Sequence, residues 1–316
     1  MTSSVTTRRK FRFSVQERGA ESAKQWRERA RALESMGYST LYFPDHFGDQ
    51  SGPIAALMAA ADATTKLRIG SLVFDNDFRH PLVLAKEAAT IDLLSDGRFD
   101  FGIGAGWLVS DYEQAGLSYD SAGVRIERLA EAITIIKKLF AGEEVSFKGK
   151  HYALNGAKGT PRPVQKPHPP FVIGGGGRKI LELAAREADL VNVNFDLRTG
   201  RRGPAVAQTG MAGATEDKIR WIRDAAGARF DEIELGVWIL RADVTQDRDG
   251  VAANAAQLMQ MEPADVLAVP HLLIGSLDQI AEDIVTRREQ YGISHVVVPG
   301  DVADELAPMV ERLTGQ

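Results

Sequence analysis

Eight short apolar runs, each rich in β-branched or aromatic residues and most followed by a stretch with helical spacing, recur along the chain. They are FRFSV (11–15), TLYF (40–43), LRIGSLVF (67–74), FDFGIG (99–104), PFVIG (170–174), DLVNVN (189–194), IELGVWIL (233–240) and SHVVVP (294–299). Strands alternating with helices call for parallel pairing, and no linker splits the series. The expected fold is therefore α/β, a (β/α)8 TIM-like barrel with insertions, rather than an open doubly wound sheet. The 316 residues suit one such domain over 10–316, behind a disordered tail at 1–9.

Several helices carry their own punctuation. Ser22 with Gln25 has the pattern of a capping box, Trp26, Ala30 and Leu33 repeat at helical spacing, and Gly37 supplies a left-handed stop. Pro81 suits a first helical position; Leu84, Ala88, Ile91 and then Leu94 or Ser95 continue one face, and Gly97 ends it. Three stretches depart from plain alternation. VSFKGKHYALN (144–154) reads as a hairpin inserted after the fourth helix, and the polar, glycine-rich 195–214 as a mobile flap after the sixth strand. Between the seventh and eighth strands there is room for two helices.

Composition narrows the function. Basic residues number 38 against 43 acidic ones and are scattered, so no positive face is expected for nucleic acid. The absence of cysteine excludes disulfides, thiolate zinc and a cysteine nucleophile, and favours a reducing, cytoplasmic setting. No apolar run approaches the roughly 20 residues of a membrane helix. The opening MTSSVTTRRK lacks the apolar stretch of a signal sequence. The six histidines lack H-x-H or H-E-x-x-H spacing, so no metal site is expected and a metal-dependent barrel hydrolase is disfavoured.

In a parallel barrel all strand C-termini open on one face. Four unusual segments should meet there: Asp45-His46 after the second strand, Leu72 to Asp77 after the third, Gly104 to Trp107 after the fourth, and Gly174-Gly175-Gly176-Gly177 after the fifth. Glycines lacking Cβ let a ligand approach their N–H groups, and a helix beginning near Arg178 adds a positive dipole end, a combination suited to phosphate. One glycine would close the turn; four argue for a cradle. GIGAGW is G-x-G-x-G rather than G-x-G-x-x-G, and LVSDYEQAG behind it begins no clear helix, which argues against a dinucleotide fingerprint. Gly104 and Gly106 would instead either let a flat ring lie beside Trp107 or serve close packing at the barrel rim. His46 is the best acid/base candidate, since imidazole titrates near neutral pH. Adjacent residues on an extended chain point oppositely, so Asp45 need not touch it. Phe13, Asp75 and Trp107 are the candidate substrate-side residues.

Taken together, GYSTLYFPDHF, RIGSLVFDNDFRHPLVLAKEAATIDLLSDGRFDFGIGAGW, VSFKGKHYAL and PFVIGGGGRKILELAAREADLV resemble the luciferase-like monooxygenase superfamily, specifically its branch using the deazaflavin coenzyme F420. The resemblance covers most of residues 10–195, with a weaker echo in LIGSLDQIAEDIVTRREQYGISHVVV. It implies a TIM-like barrel binding F420 or FMN at the strand C-termini, with Asp45 and His46 as the family's Asp-His pair. His46 would face the substrate side of the ring as proton donor or acceptor. It also implies a non-proline cis bond at Leu72-Val73 backing the ring, and backbone amides of Gly174 to Gly177, with Arg178, taking the cofactor phosphate. Barrels of this family often dimerise, so a homodimer is an expectation. One departure stands out: F420-dependent sugar-phosphate dehydrogenases carry an acid after the G-x-G-x-G segment, where this chain has Trp107, which points to an apolar or aromatic small-molecule substrate.

The leading reading is an F420-dependent oxidoreductase. An FMN-dependent monooxygenase and a non-catalytic flavin-binding protein are the alternatives, since both need the same ring bed and cradle.

Overall fold

A computed structural model of the chain describes residues 9–316. Of the tail expected at 1–9 only Arg9 falls among them; its guanidinium donates to the Asp231 carbonyl at 2.9 Å. The eight apolar runs form β1 (Arg12–Gln16), β2 (Thr40–Phe43), β3 (Arg68–Ser71), β4 (Phe99–Gly104), β5 (Phe171–Gly175), β6 (Leu190–Val193), β7 (Glu234–Trp238) and β8 (Ile293–Pro299). Each neighbouring pair is parallel, and β8 closes the ring by pairing with both β7 and β1. The chain thus forms the expected (β/α)8 barrel.

Strand parity decides what fills the barrel. On β1, Phe13 and Val15 join the apolar core shared with Trp26, Ala30 and Leu33 of helix Ala23–Ser35, while Arg12, Ser14 and Gln16 make polar contacts inside. The floor is a charged cluster. Asp100 meets Arg68 at 2.6 Å and Arg12 at 3.4 Å, accepts from the Tyr42 hydroxyl at 3.1 Å, and Arg12 also binds Glu234 at 2.7 Å. Burial alone would raise the Asp100 carboxyl, but the two guanidiniums hold it below the usual carboxylate range. Above it, Tyr42, Val172, Leu190 and Val297 make an apolar layer beneath Leu72 and Trp238. Gly70 leaves room for this layer, because a β-carbon there would stand 2.7 Å from the Tyr42 ring.

The helix signals hold with small changes. Ser22 accepts from the Gln25 N–H at 3.3 Å, and Gly37 and Gly97 have φ of +83° and +74°. Ser95 is fully buried while Leu94 is 62% exposed, so Ser95 is the residue that continues the face of helix Pro81–Leu94. A complete reciprocal capping box stands at Ser276 and Gln279, heading helix Leu277–Tyr291.

The inserted hairpin pairs Glu144–Lys148 with Ala153–Lys158 and so ends later than 154. The segment after β6 holds a helix, Pro204–Gln208, and the start of another, Ala212–Ala226. Buried Lys218 clamps its base, donating to the carbonyls of Asn194 at 2.7 Å and Thr209 at 2.5 Å; burial draws its pKa down to about 8. Between β7 and β8 the expectation of two helices falls short. Three are present, Arg248–Met259, Pro263–Ala268 and Leu277–Tyr291, beside a parallel pair Arg241–Val244 with Leu272–Gly275 outside the barrel. Among the described residues no helix is long and apolar enough to cross a membrane, and no three His, Asp or Glu side chains converge as metal ligands.

Candidate active site

The segments following β1 to β7 wall a cavity of about 830 Å³ at the C-terminal mouth of the barrel. Asp45, His46, Leu72, Val73, Asp75, Gly104, Gly106, Trp107, Gly174, Gly175, Gly176, Gly177 and Arg178 all line it. Phe13 does not. It is fully buried on the outward parity of β1 against the helix layer, so the reading of Phe13 as a substrate-side residue is corrected; Gln16, on the inward parity, reaches the cavity instead.

Beyond β2 the chain leaves at Pro44, and Asp45 and His46 diverge. The Asp45 oxygens are taken by the Arg79 guanidinium and the Asp75 N–H, the latter at 3.0 Å, so this carboxylate braces the turn after β3. His46 Nδ1 lies 2.6 Å from Asp111 Oδ2, and the other Asp111 oxygen accepts from the Phe47 N–H at 3.3 Å. The Trp107 ring meets His46 edge-to-face at 5.9 Å. With Nδ1–H given to a buried carboxylate, Nε2 is left for a ligand in the cavity, as acceptor or donor according to protonation.

Beyond β3 the Leu72-Val73 peptide is cis, and the strand resumes only at Phe74–Asp75, beside Ile103 and Gly104 of β4. Gln16 Nε2 donates to the Leu72 carbonyl at 3.0 Å, fixing this shelf. A β-carbon on Gly104 would come within 2.6 Å of the Val73 side chain.

The four glycines, two closing β5 and two beyond it, divide by purpose. Gly175 and Gly176 are required by packing, against Ile180 and against the Asn194 and Phe195 carbonyls. Gly174 and Gly177 meet nothing nearer than 3.7 and 3.4 Å, leaving the wall bare. Helix Arg178–Glu187 follows with no side-chain cap, and its first backbone bond runs from the Leu181 N–H to the Gly177 carbonyl. The N–H groups of Arg178, Lys179 and Ile180 have no backbone acceptor among the described residues and stand at the cavity, the positive end of a helix dipole. The Arg178 side chain turns to Glu182 at 2.7 Å, so its amide rather than its guanidinium is what the cradle offers.

Three cavity residues, Asp111, Asn192 and Trp238, and Tyr112 buried beside them, were not singled out from the sequence. Asp111 and its neighbour Tyr112 lie on a helix, Val109–Ala115, in the stretch read above as beginning none. Both are buried, which hides any amphipathic pattern, although Gly116 at φ +66° is a legible stop. Asn192 Nδ2 and Trp238 Nε1 are buried donors without a partner among the described residues, and both residues line the cavity. Asn192, a polar residue on the inward parity of an otherwise apolar strand, was the available signal. Near the rim, the Arg202 guanidinium lies 5.6 Å over the Trp107 ring, its pKa lowered by burial and then by the charge of Arg18.

Comparison with known proteins follows this geometry. The chain is 30% identical over 210 residues to an F420-dependent glucose-6-phosphate dehydrogenase of Amycolatopsis mediterranei (strain U-32), covering 63% of this chain and 62% of that protein. It is 35% identical over 164 residues to another of that description from Microbacterium testaceum (strain StLB037), covering 49% and 48%. The match thus spans less than two thirds of either relative. The coenzyme F420-dependent tetrahydromethanopterin reductase from Methanopyrus kandleri superposes with a TM-score of 0.76 over 97% of this chain and 99% of that one, at 18% identity, a likeness of fold alone. Residues 4–221 match the family described as luciferase-like monooxygenase, more than half of the chain. On that match the chain belongs to the luciferase-like monooxygenase family.

Proposed function

We propose that this chain is an oxidoreductase that transfers a hydride between coenzyme F420 and a small organic substrate, with His46 giving or taking the accompanying proton. The observation that carries the reading is His46, its Nδ1 tied to Asp111, lining the same cavity as a glycine cradle. The two curated relatives support F420 as the cofactor.

The residues fit this cofactor in three places. Unbonded amides at the head of helix Arg178–Glu187 suit its phosphate. The Leu72-Val73 shelf offers flat backbone to a ring. The unpartnered donors of Asn192 and Trp238 would be satisfied by ring carbonyls. When bound, F420 supplies the carbon that accepts or gives the hydride. The chain's own part is to hold the anionic tail, position the substrate and handle the proton at His46 Nε2.

Trp107, Phe195, Val206, Trp238 and Leu240 give the cavity an apolar lining that suits an apolar or aromatic substrate body. Trp107 in place of an acid sets the proposed substrate apart from the sugar phosphate named for the curated relatives.

Fluorescence titration of the purified protein with F420 and with FMN tests the cofactor. Saturable F420 binding and no oxygen uptake with reduced FMN are expected; tight FMN binding with oxygen uptake would favour a monooxygenase instead. Gly174→Ala sharpens the test. The new methyl meets no neighbour nearer than 3.7 Å, so the fold should keep its melting temperature, while the methyl on the cavity wall holds the cofactor off the backbone and lowers its affinity roughly tenfold.

A further inference from the structure

We propose that Asp75 is a second proton-donating group of this cavity, a carboxyl that gives a proton to a bound ligand from the wall after β3, while His46 acts from the end of β2. The proposal rests on the oxidoreductase reading above.

One hydroxyl proton is shared among too many acceptors. Tyr112 Oη lies 3.0 Å from Asp77 Oδ2 and 3.3 and 3.4 Å from the two Asp75 oxygens. A phenol has a single proton to donate. Asp77 is the ionised partner, because Arg128 reaches its carboxylate at 2.8 Å. Asp75 has no such cation. Its carboxyl accepts the Asp77 N–H at 2.9 Å, and the shared phenol is its other neighbour.

The guanidiniums nearby are committed elsewhere. Arg79 serves Asp45 and lies 3.9 Å from Glu87; Arg125 donates to the carbonyls of Ala105 and Asp120 and lies over the Tyr112 and Tyr119 rings. From the remaining elements, Asp45 faces Asp75 as an anion, and Asp111 is spent on His46. A buried carboxyl with two anionic neighbours and no cation retains its proton. Burial, then the charges of Asp77 and Asp45, outweigh the Asp77 amide and Tyr112 and raise Asp75 to about 7. The protonated Asp75 then donates to Tyr112 Oη, Tyr112 donates to Asp77, and the chain ends on Arg128 with every proton placed.

The residue also stands at the cavity wall. Its carboxyl lies against Gly106, where φ is +72° and a β-carbon would overlap both Asp75 Oδ2 and the Tyr112 hydroxyl. In the transfer step the O–H bond of Asp75 breaks and a new O–H or N–H bond forms on the ligand. The Tyr112 proton then turns from Asp77 to the new Asp75 carboxylate, and Arg128 continues to neutralise Asp77. No electrons are exchanged in that step; the hydride moves between substrate and cofactor separately.

Carboxyl-carbon NMR of the full, ligand-free chain, with the resonance assigned through Asp75→Asn, tests the proposal without any cofactor. The expected midpoint is about 7, and Tyr112→Phe should raise it further by removing a donor that favours the carboxylate. A midpoint near 4, the ordinary aspartate value, would overturn it. Stability gives a second readout. The folded state keeps a proton that the unfolded chain releases, so the contribution of Asp75 to stability should fall as pH rises from about 4 to 7, and Asp75→Asn should flatten that part of the profile. With substrate turning over, activity should decline on the alkaline side as Asp75 ionises, a limb absent from Asp75→Asn; an unchanged profile would overturn the assignment. Failure of F420 to bind would sink the oxidoreductase reading while leaving the NMR midpoint as it stands.

Discussion

His46→Ala is expected to lower turnover on the order of 100- to 10,000-fold while cofactor affinity stays nearly unchanged. The imidazole stands between a buried carboxylate and the cavity, with Nδ1 held at 2.6 Å and Trp107 against its edge, so its loss removes the proposed proton carrier but none of the cradle amides. Stopped-flow turnover measured beside a fluorescence titration separates the two quantities. An unchanged rate would remove His46 from the chemistry, and a large loss of affinity with an intact rate would make it a binding residue. Asp111→Asn should give a smaller loss of turnover than His46→Ala, because the imidazole remains but its tautomer and orientation are no longer set.

The second large effect concerns stability. Asp100→Ala should destabilise the barrel by about 3–5 kcal/mol, because it leaves Arg68 with neutral acceptors only, the Gly97 and Phe99 carbonyls and Gln165, and Arg12 with Glu234 as its remaining carboxylate. Both guanidiniums keep partial access to water, which places the loss toward the lower end of that range. Urea unfolding followed by tryptophan fluorescence would show a lower midpoint with an unchanged slope. The pH dependence follows from the depressed carboxyl. Asp100 contributes its stabilisation above the unfolded carboxylate range near pH 4 and loses it as pH falls further, so the variant should lack part of the wild type's sensitivity to acid. A midpoint within error of wild type would show the floor cluster to be energetically neutral.

Much of this architecture could be read from the amino-acid order. The barrel strands are apolar runs bounded by turn residues, and parallel strands covered on both sides lack the alternation that would confuse them with surface hairpins. The rim segments were legible because their residue types are costly elsewhere: consecutive glycines, an Asp-His pair, a Trp beside G-x-G-x-G. What failed did so for local reasons. Phe13 was misplaced by one step of strand parity, which no composition reveals and which only the register of β1 against β8 settles. The extra strand Arg241–Val244 was hidden because IELGVWIL runs almost into it without a turn signal. Helix Val109–Ala115 escaped because Asp111 and Tyr112, the residues it buries, are ones expected on a surface. Their partners, His46, Asp75 and Asp77, lie 35 to 65 residues away, so the pairing exists only once the barrel brings three strand ends together.

That seven-residue helix has one further tie: its Val109 N–H donates to the Gly200 carbonyl at 3.3 Å, in the segment after β6 whose base Lys218 pins. Consecutive residues on it steer the imidazole through Asp111 and the Asp75 carboxyl through Tyr112. One short helix thus joins the loop after β6, through Gly200, to the His46 imidazole and to the Asp75 carboxyl.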